Sequence, residues 1–204
     1  MTRGHALDVS AYESRRQMRL VDGLTHRFAA VRAMLERHGD APSAWPELAP
    51  LLASEFAVDG AMLRTSRTTV GWGLNLEPGA LEALDHWFTT QSREMVWQGD
   101  QLGRQVPDMP PSQVAGALVI RVVGRTGEVA RVYLCRPEHI HEVAWGGNPH
   151  KPVEHHDGSV GIAPRRSFEK WVEKRLGYSR AWDNETRLLA FRLRELLAGA
   201  AGYG

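Results

Sequence analysis

Cysteine is almost missing from this chain: one thiol, Cys135, in 204 residues. That excludes an internal disulfide framework and any zinc site built of cysteines alone, and it fits a reducing compartment. Long apolar runs are missing as well. No stretch reaches the roughly 18 apolar residues of a membrane span, and Met1-Thr2-Arg3-Gly4-His5 lacks the apolar core of a signal peptide. An excess of one charge is also lacking, since 25 Lys+Arg stand against 24 Asp+Glu. Such a chain has no global field to draw it onto DNA or an acidic membrane. There is no Gly-x-Ser-x-Gly elbow, no Walker loop and no ATP-binding glycine box, which removes the common signatures of acyl and phosphoryl transfer. The expectation is a soluble cytoplasmic chain without nucleic-acid or membrane partners, and not an enzyme. Its length leaves room for one domain of about 150 residues plus an appendage.

What is present reads as mixed helix and strand. Residues 8 to 38 contain no proline, and Val21, Leu24, Phe28, Val31 and Leu35 fall on one helical stripe. Two readings stand for this long amphipathic helix: it packs on its own core, or it is a connector or dimer seam. Gly39-Asp40-Ala41-Pro42 ends it, and a second helix fits Trp45 to Phe56 with Pro46 in its first turn. Ala61 to Thr65 and Thr68 to Trp72 read as a tight hairpin, residues 78 to 90 as a helix, and Met95-Val96-Trp97 as a brief strand. Gly99 to Ser112 reads mostly as loop. The strongest strands are Gly116 to Val123 and Val129 to Cys135, joined by a turn at Gly124 to Gly127, at the centre of an antiparallel sheet covered by helices. Asp183 caps a last helix carrying Leu188, Leu189, Leu193, Leu196 and Leu197, which stops at Gly199. No βαβ rhythm is present, so the class is α+β.

From Pro137 to about Ala181 no clear core element occurs, although loops beyond about 12–15 residues are uncommon unless functional or disordered. The composition is not that of a disordered segment, for it holds Trp145, Phe168 and Trp171. Five histidines (His139, His141, His150, His155, His156) cluster there, but no carboxylate or thiol accompanies them at a recognised ligand spacing. They read as solvated loop histidines, with a metal site as the alternative. Cys135, on a core strand, reads as a buried structural thiol. Arg165 and Arg166 suit bidentate recognition of one carboxylate, either local (Asp157, Glu154) or on another domain. Phe168, Trp171, Val172 and Leu176 share one face if helical, with Ser167 as N-cap, yet Ser-Phe-Glu-Lys-Trp also alternates as a strand. A return arm open to both states is a candidate two-state element.

Arg136-Pro137-Glu138, then Trp145-Gly146-Gly147, then Pro164-Arg165-Arg166-Ser167-Phe168, then Trp171-Val172-Glu173 resemble, in that order, the tongue of the phytochrome-specific (PHY) domain, and most closely that of bacterial phytochromes. The resemblance implies a GAF-related fold: an antiparallel β-sheet flanked by helices, long N- and C-terminal helices and a protruding tongue hairpin. Residues 1–38 then form a connector helix leaving a GAF domain, and residues 39–204 form the PHY domain. The tongue covers about 137–181, and a C-terminal signalling helix about 183–198. By the same resemblance, Arg165 pairs with a GAF aspartate in the dark state and Ser167 takes over that contact after photoconversion. Trp145, Trp171 and Glu173 match positions that exchange as the tongue refolds. The resemblance further implies a parent that holds a bilin such as biliverdin in its GAF domain and passes its signal to an output module, most often a histidine kinase. This chain itself is expected to hold no cofactor: it lacks a bilin-attachment cysteine, and Cys135 matches neither attachment position. An excised or truncated sensory segment is the expectation. Its partners are the GAF domain of the parent chain, the output domain through the last helix, and a second copy if it dimerises. A GAF-like module binding a small molecule or metal, and a helical dimerisation scaffold, are the alternatives.

Overall fold

The structure, a computed structural model, describes residues 23, 26–139 and 177–200. In chain order the described elements are α1 (Ala29–His38), α2 (Ala41–Phe56), β1 (Gly60–Arg64), β2 (Thr69–Gly73), α3 (Pro78–Thr90), β3 (Val96–Gly99), the single turn α4 (Leu102–Gln105), β4 (Val114–Val123), β5 (Val129–Pro137) and α5 (Asn184–Gly199). The strands form one sheet in the order β2-β1-β5-β4-β3, with every pairing antiparallel. The two strands expected at the centre, β4 and β5, lie there.

Alternation of side chains along the strands divides the core into two layers. Ala61, Leu63, Leu118, Ile120, Val122, Ala130, Val132 and Leu134 point to one face, where α1, α2 and α5 cover them. Met62, Ala117, Val119, Tyr133 and Cys135 point to the other, beneath Leu81, Leu84 and Phe88 of α3 and Leu102 of α4. Both faces of β4 and β5 are thus buried, which accounts for their near-continuous apolar sequence. The α+β class and the helix-flanked antiparallel sheet expected from the sequence are what the chain adopts.

The helix boundaries follow from their caps. Gly39, at φ 83°, closes α1 by donating its N–H to Leu35 O. Asp40 then opens α2, its carboxylate accepting from Ser43 N at 2.7 Å. With that cap α2 begins at Ala41, ahead of the expected Trp45, and Pro42 takes the first-turn place assigned to Pro46. Pro46 and Pro50 lie inside the helix. Of the helical stripe, Phe28, Val31 and Leu35 are buried against α2 and the sheet, in this chain's own core; Val21 and Leu24 lie outside the described residues. Asp183 caps α5 by accepting from Thr186 N at 2.7 Å and Thr186 Oγ1 at 2.6 Å, bonds that hold its carboxyl below the usual range. Leu189, Leu193 and Leu197 face the core, whereas Leu188 points outward and Gly199 is the last helical residue rather than the stop beyond it. Among the described residues no helix is long and apolar enough to cross a membrane.

Candidate functional site: the neck of residues 140–176

Trp145, Gly146, Gly147, Pro164, Arg165, Ser167, Phe168, Trp171 and Glu173 all lie outside the described residues. The structure instead describes the two stems from which that segment leaves and to which it returns. They meet: His139 N donates to Tyr178 O at 2.7 Å, and Gly177 N donates to the Glu138 carboxylate. The residues that flank 140–176 on either side therefore lie together at the end of β5.

That place is built around Arg136. A near-continuously apolar strand ends there in a guanidinium that is almost wholly enclosed, the residue being 5% exposed. Among the described residues no carboxylate bonds to it. Its Nε donates to Ala57 O at 3.2 Å and its Nη2 to Phe56 O at 3.0 Å. Its Nη1 donates to Arg180 O at 3.3 Å and Ala181 O at 2.9 Å. Phe56 and Ala57 end α2, so the cation sits where unpaired carbonyls concentrate the negative end of the helix dipole. The planar group also lies over the ring of Trp182, 3.7 Å from its centroid. Burial, and next the neighbouring Arg180 cation, pull the Arg136 pKa below the ordinary arginine value, while Asp183 and Asp59 oppose that pull.

The return stem is fixed by further bonds. Ser179 N donates to Asp100 O at 2.8 Å, and Trp182 Nε1 donates to Gly99 O at 2.9 Å, both just past β3 or at its end. Ser179 itself is 2% exposed and rests on Gly116, the β4 residue paired with Arg136. A Cβ at Gly116 would stand 1.9 Å from Ser179 Oγ and 2.7 Å from its Cβ, so the stem can lie this close only over glycine. Arg180 Nη2 adds a bond to Ala57 O at 2.9 Å. In the sequence reading Arg136 entered only as the start of a motif and Gly116 only as the start of a strand, while Ser179 and Trp182 had no part in this site. A basic residue closing an apolar strand, with a tryptophan just before a capping aspartate, was the available signal.

Cys135, next to Arg136, faces the opposite layer and is fully buried. Burial pushes its thiol up to about 12, with the Glu77 charge adding to the rise. The folded protein holds the proton that the unfolded chain releases from its ordinary value of 9.0 upward, so stability falls as pH climbs from there toward 12. Accordingly, a disulfide reagent at about pH 8 should leave folded protein unlabelled and modify it once urea unfolds it. Rapid labelling without denaturant would show that the thiol is open. Among the described residues no three His, Cys, Asp or Glu side chains gather as metal ligands; His139 is described, and the other four clustered histidines are not.

Comparison with known proteins places the chain. The family described as Phytochrome region (PHY) matches residues 25–202, and the chain belongs to that family. It is 32% identical over 121 residues to cyanobacterial phytochrome B of Nostoc sp., a match covering 58% of this chain and 16% of that protein. It is 36% identical over 94 residues to cyanobacterial phytochrome A of the same organism, covering 44% of this chain and 12% of that one. With the bacteriophytochrome of Pseudomonas aeruginosa it shares 26% over 144 residues, covering 70% of this chain and 19% of that protein. The chain thus spans less than a fifth of the length of these relatives.

Proposed function

We propose that this chain is the PHY segment of a red/far-red light-sensing phytochrome, and that residues 137–181 form its tongue, which touches the bilin-binding GAF domain of the parent chain. One observation carries the reading: the two stems that flank the segment holding three of the four tongue-like motifs meet at a hydrogen-bonded neck, His139 N to Tyr178 O. Family membership over residues 25–202 and the order of the motifs support it. In this reading the segment does no chemistry of its own and holds no cofactor; the bilin belongs to the neighbouring GAF domain. Burial of Cys135 in the sheet supports that division, since an enclosed, protonated thiol cannot be a bilin attachment point.

Arg165 is the anchor, pairing through its planar guanidinium with a GAF carboxylate in one photostate, and Ser167 replaces it in the other. Pro164 and Phe168 hold that pentapeptide, while Trp145 with Gly146 and Gly147, and Trp171 with Glu173, exchange places as the return arm changes state. A few kcal/mol of differential contact with the GAF domain suffices to shift such an equilibrium. The terminal helix α5 then carries the change to an output module, a histidine kinase in the commonest arrangement, in the cytoplasm. The test is Arg165→Ala in the full-length photoreceptor. Dark reversion or photoconversion should change by about tenfold, the effect of losing one charge-assisted contact. Spectra and kinetics matching the native protein would overturn the assignment.

A further inference from the structure

We infer that Arg136 is the positioning residue that joins the neck of residues 140–176 to the start of α5, so that the two respond as one unit. The inference rests on the reading of 137–181 as a moving tongue, and its geometry stands on described residues alone. Arg136 is the last inward-facing residue of β5 before Pro137-Glu138-His139, and thus lies at the point where the outgoing stem leaves the sheet. Its guanidinium reaches the return stem twice, at Arg180 O and Ala181 O, and then lies flat on Trp182. The next residue, Asp183, is the N-cap of α5. From the outgoing stem to the first turn of α5 there is one continuous set of contacts, and a single side chain supplies most of it.

The same guanidinium grips Phe56 O and Ala57 O at the end of α2. That helix packs on the sheet face shared with α5 and serves as a fixed reference for both stems. A displacement of His139 against Tyr178 would have to move Arg136, and Arg136 cannot move without releasing Ala181 or Trp182. Lysine cannot replace it. An ammonium is one point of charge and cannot bond carbonyls on two sides while stacking its plane on an indole.

Hydrogen exchange on the 204-residue chain tests this without light or chromophore, so its outcome is separate from that of the Arg165 experiment. In Arg136→Gln and in Arg136→Lys, amides of 177–187 should exchange about ten- to a hundredfold faster, while those of the central strands β4 and β5 keep their native rates. Trp182→Leu should give the same pattern, and combining it with Arg136→Lys should add little, because both remove one shared contact. Uniform acceleration across β4 and β5 would reduce Arg136 to a general stabiliser and overturn the inference. So would acceleration confined to residues 54–60, or native rates throughout in Arg136→Lys. Should Arg136→Gln fail to fold, Arg136→Lys and Trp182→Leu decide the matter by the same criteria.

Discussion

Replacing Asp85 by alanine should lower the unfolding free energy by about 3–5 kcal/mol, the loss expected when one partner of a buried ion pair is removed. The reason lies in how α3 crosses the sheet. Arg64 of β1, Arg131 of β5 and Arg121 of β4 are directly opposite one another across adjacent strands and lie on the face under α3. Like charges so placed repel. α3 answers with Glu82, Asp85 and Phe88, spaced by three so that they lie along one side of the helix. Arg64 pairs with Glu82 at 2.8 Å and reaches Asp85 at 3.6 Å. Arg131 donates from Nη2 to Asp85 Oδ2 at 3.3 Å and its Nε is ion-paired with Oδ1, and Tyr133 donates its hydroxyl to the same carboxylate. Arg121 lies over the Phe88 ring at 4.8 Å and donates to Phe88 O at 2.9 Å. Asp85, 8% exposed, is the one carboxylate among the described residues that touches two of these arginines and the tyrosine. Alanine there leaves Arg131 and the Tyr133 hydroxyl without their partner beneath a helix. Burial first, and the Asp85 charge next, hold the Tyr133 phenol above its ordinary range, so this cluster, like Cys135, favours the fold less as pH rises past about 10. Urea unfolding should show the lost midpoint, and Tyr133→Phe in the Asp85→Ala background should recover part of it. A change under about 1 kcal/mol would class the pair with exposed salt bridges instead.

That cluster also shows where sequence reading ends. The near-continuous apolar runs 116–123 and 129–135 reveal two buried faces, because side-chain direction in a strand is a local property with a fixed period. The hairpin at Ser66-Arg67 and the Asp183 cap are legible for the same reason: each is decided within a few residues. The arginine row is not, since it depends on the register of three strands separated by tens of residues. Arg136 is harder still, its acceptors lying 79 and 80 residues away in one direction and 44 and 45 in the other. Pro46 and Pro50 mislead in another way. A proline inside a helix removes a bond from the carbonyl four residues earlier, and Pro42, Pro46 and Pro50 stand four apart. Pro46 is exposed and Pro50 half-buried, away from the face on which Trp45, Leu48, Ala49 and Leu52 are buried, so the carbonyls left over can turn outward while the packed side keeps the helix. Core burial overrides the local penalty, and no local rule could have said so. For the proposed tongue the position is reversed: its motifs are legible residue by residue, while all but Arg136-Pro137-Glu138 lie outside the residues the structure describes.

Gly60→Ala should be the more damaging of two glycine replacements that look alike on paper, lowering stability by about 3 kcal/mol or more. Gly60 opens β1, paired to Gly73 on one side and Cys135 on the other. A Cβ there would stand 1.7 Å from Leu74 O and 2.4 Å from Leu74 C, atoms of a backbone that cannot rotate aside. Leu74 N is itself held by Asp59 O at 2.9 Å, and Asp59 N by Cys135 O at 3.0 Å. Relief therefore requires moving the 57–60 corner as a whole. That corner includes Ala57, whose carbonyl Arg136 and Arg180 share, so the strain is transmitted to the neck of residues 140–176. Gly103→Ala is the control: nothing lies within 4 Å of its Cβ position, and in the single turn α4 alanine should be neutral or stabilise by about 0.4–1 kcal/mol. Thermal or urea unfolding of both variants decides the point. Equal, small effects would mean that the β1 corner is soft, and a soft corner could not serve as the fixed reference against which Arg136 holds the two stems.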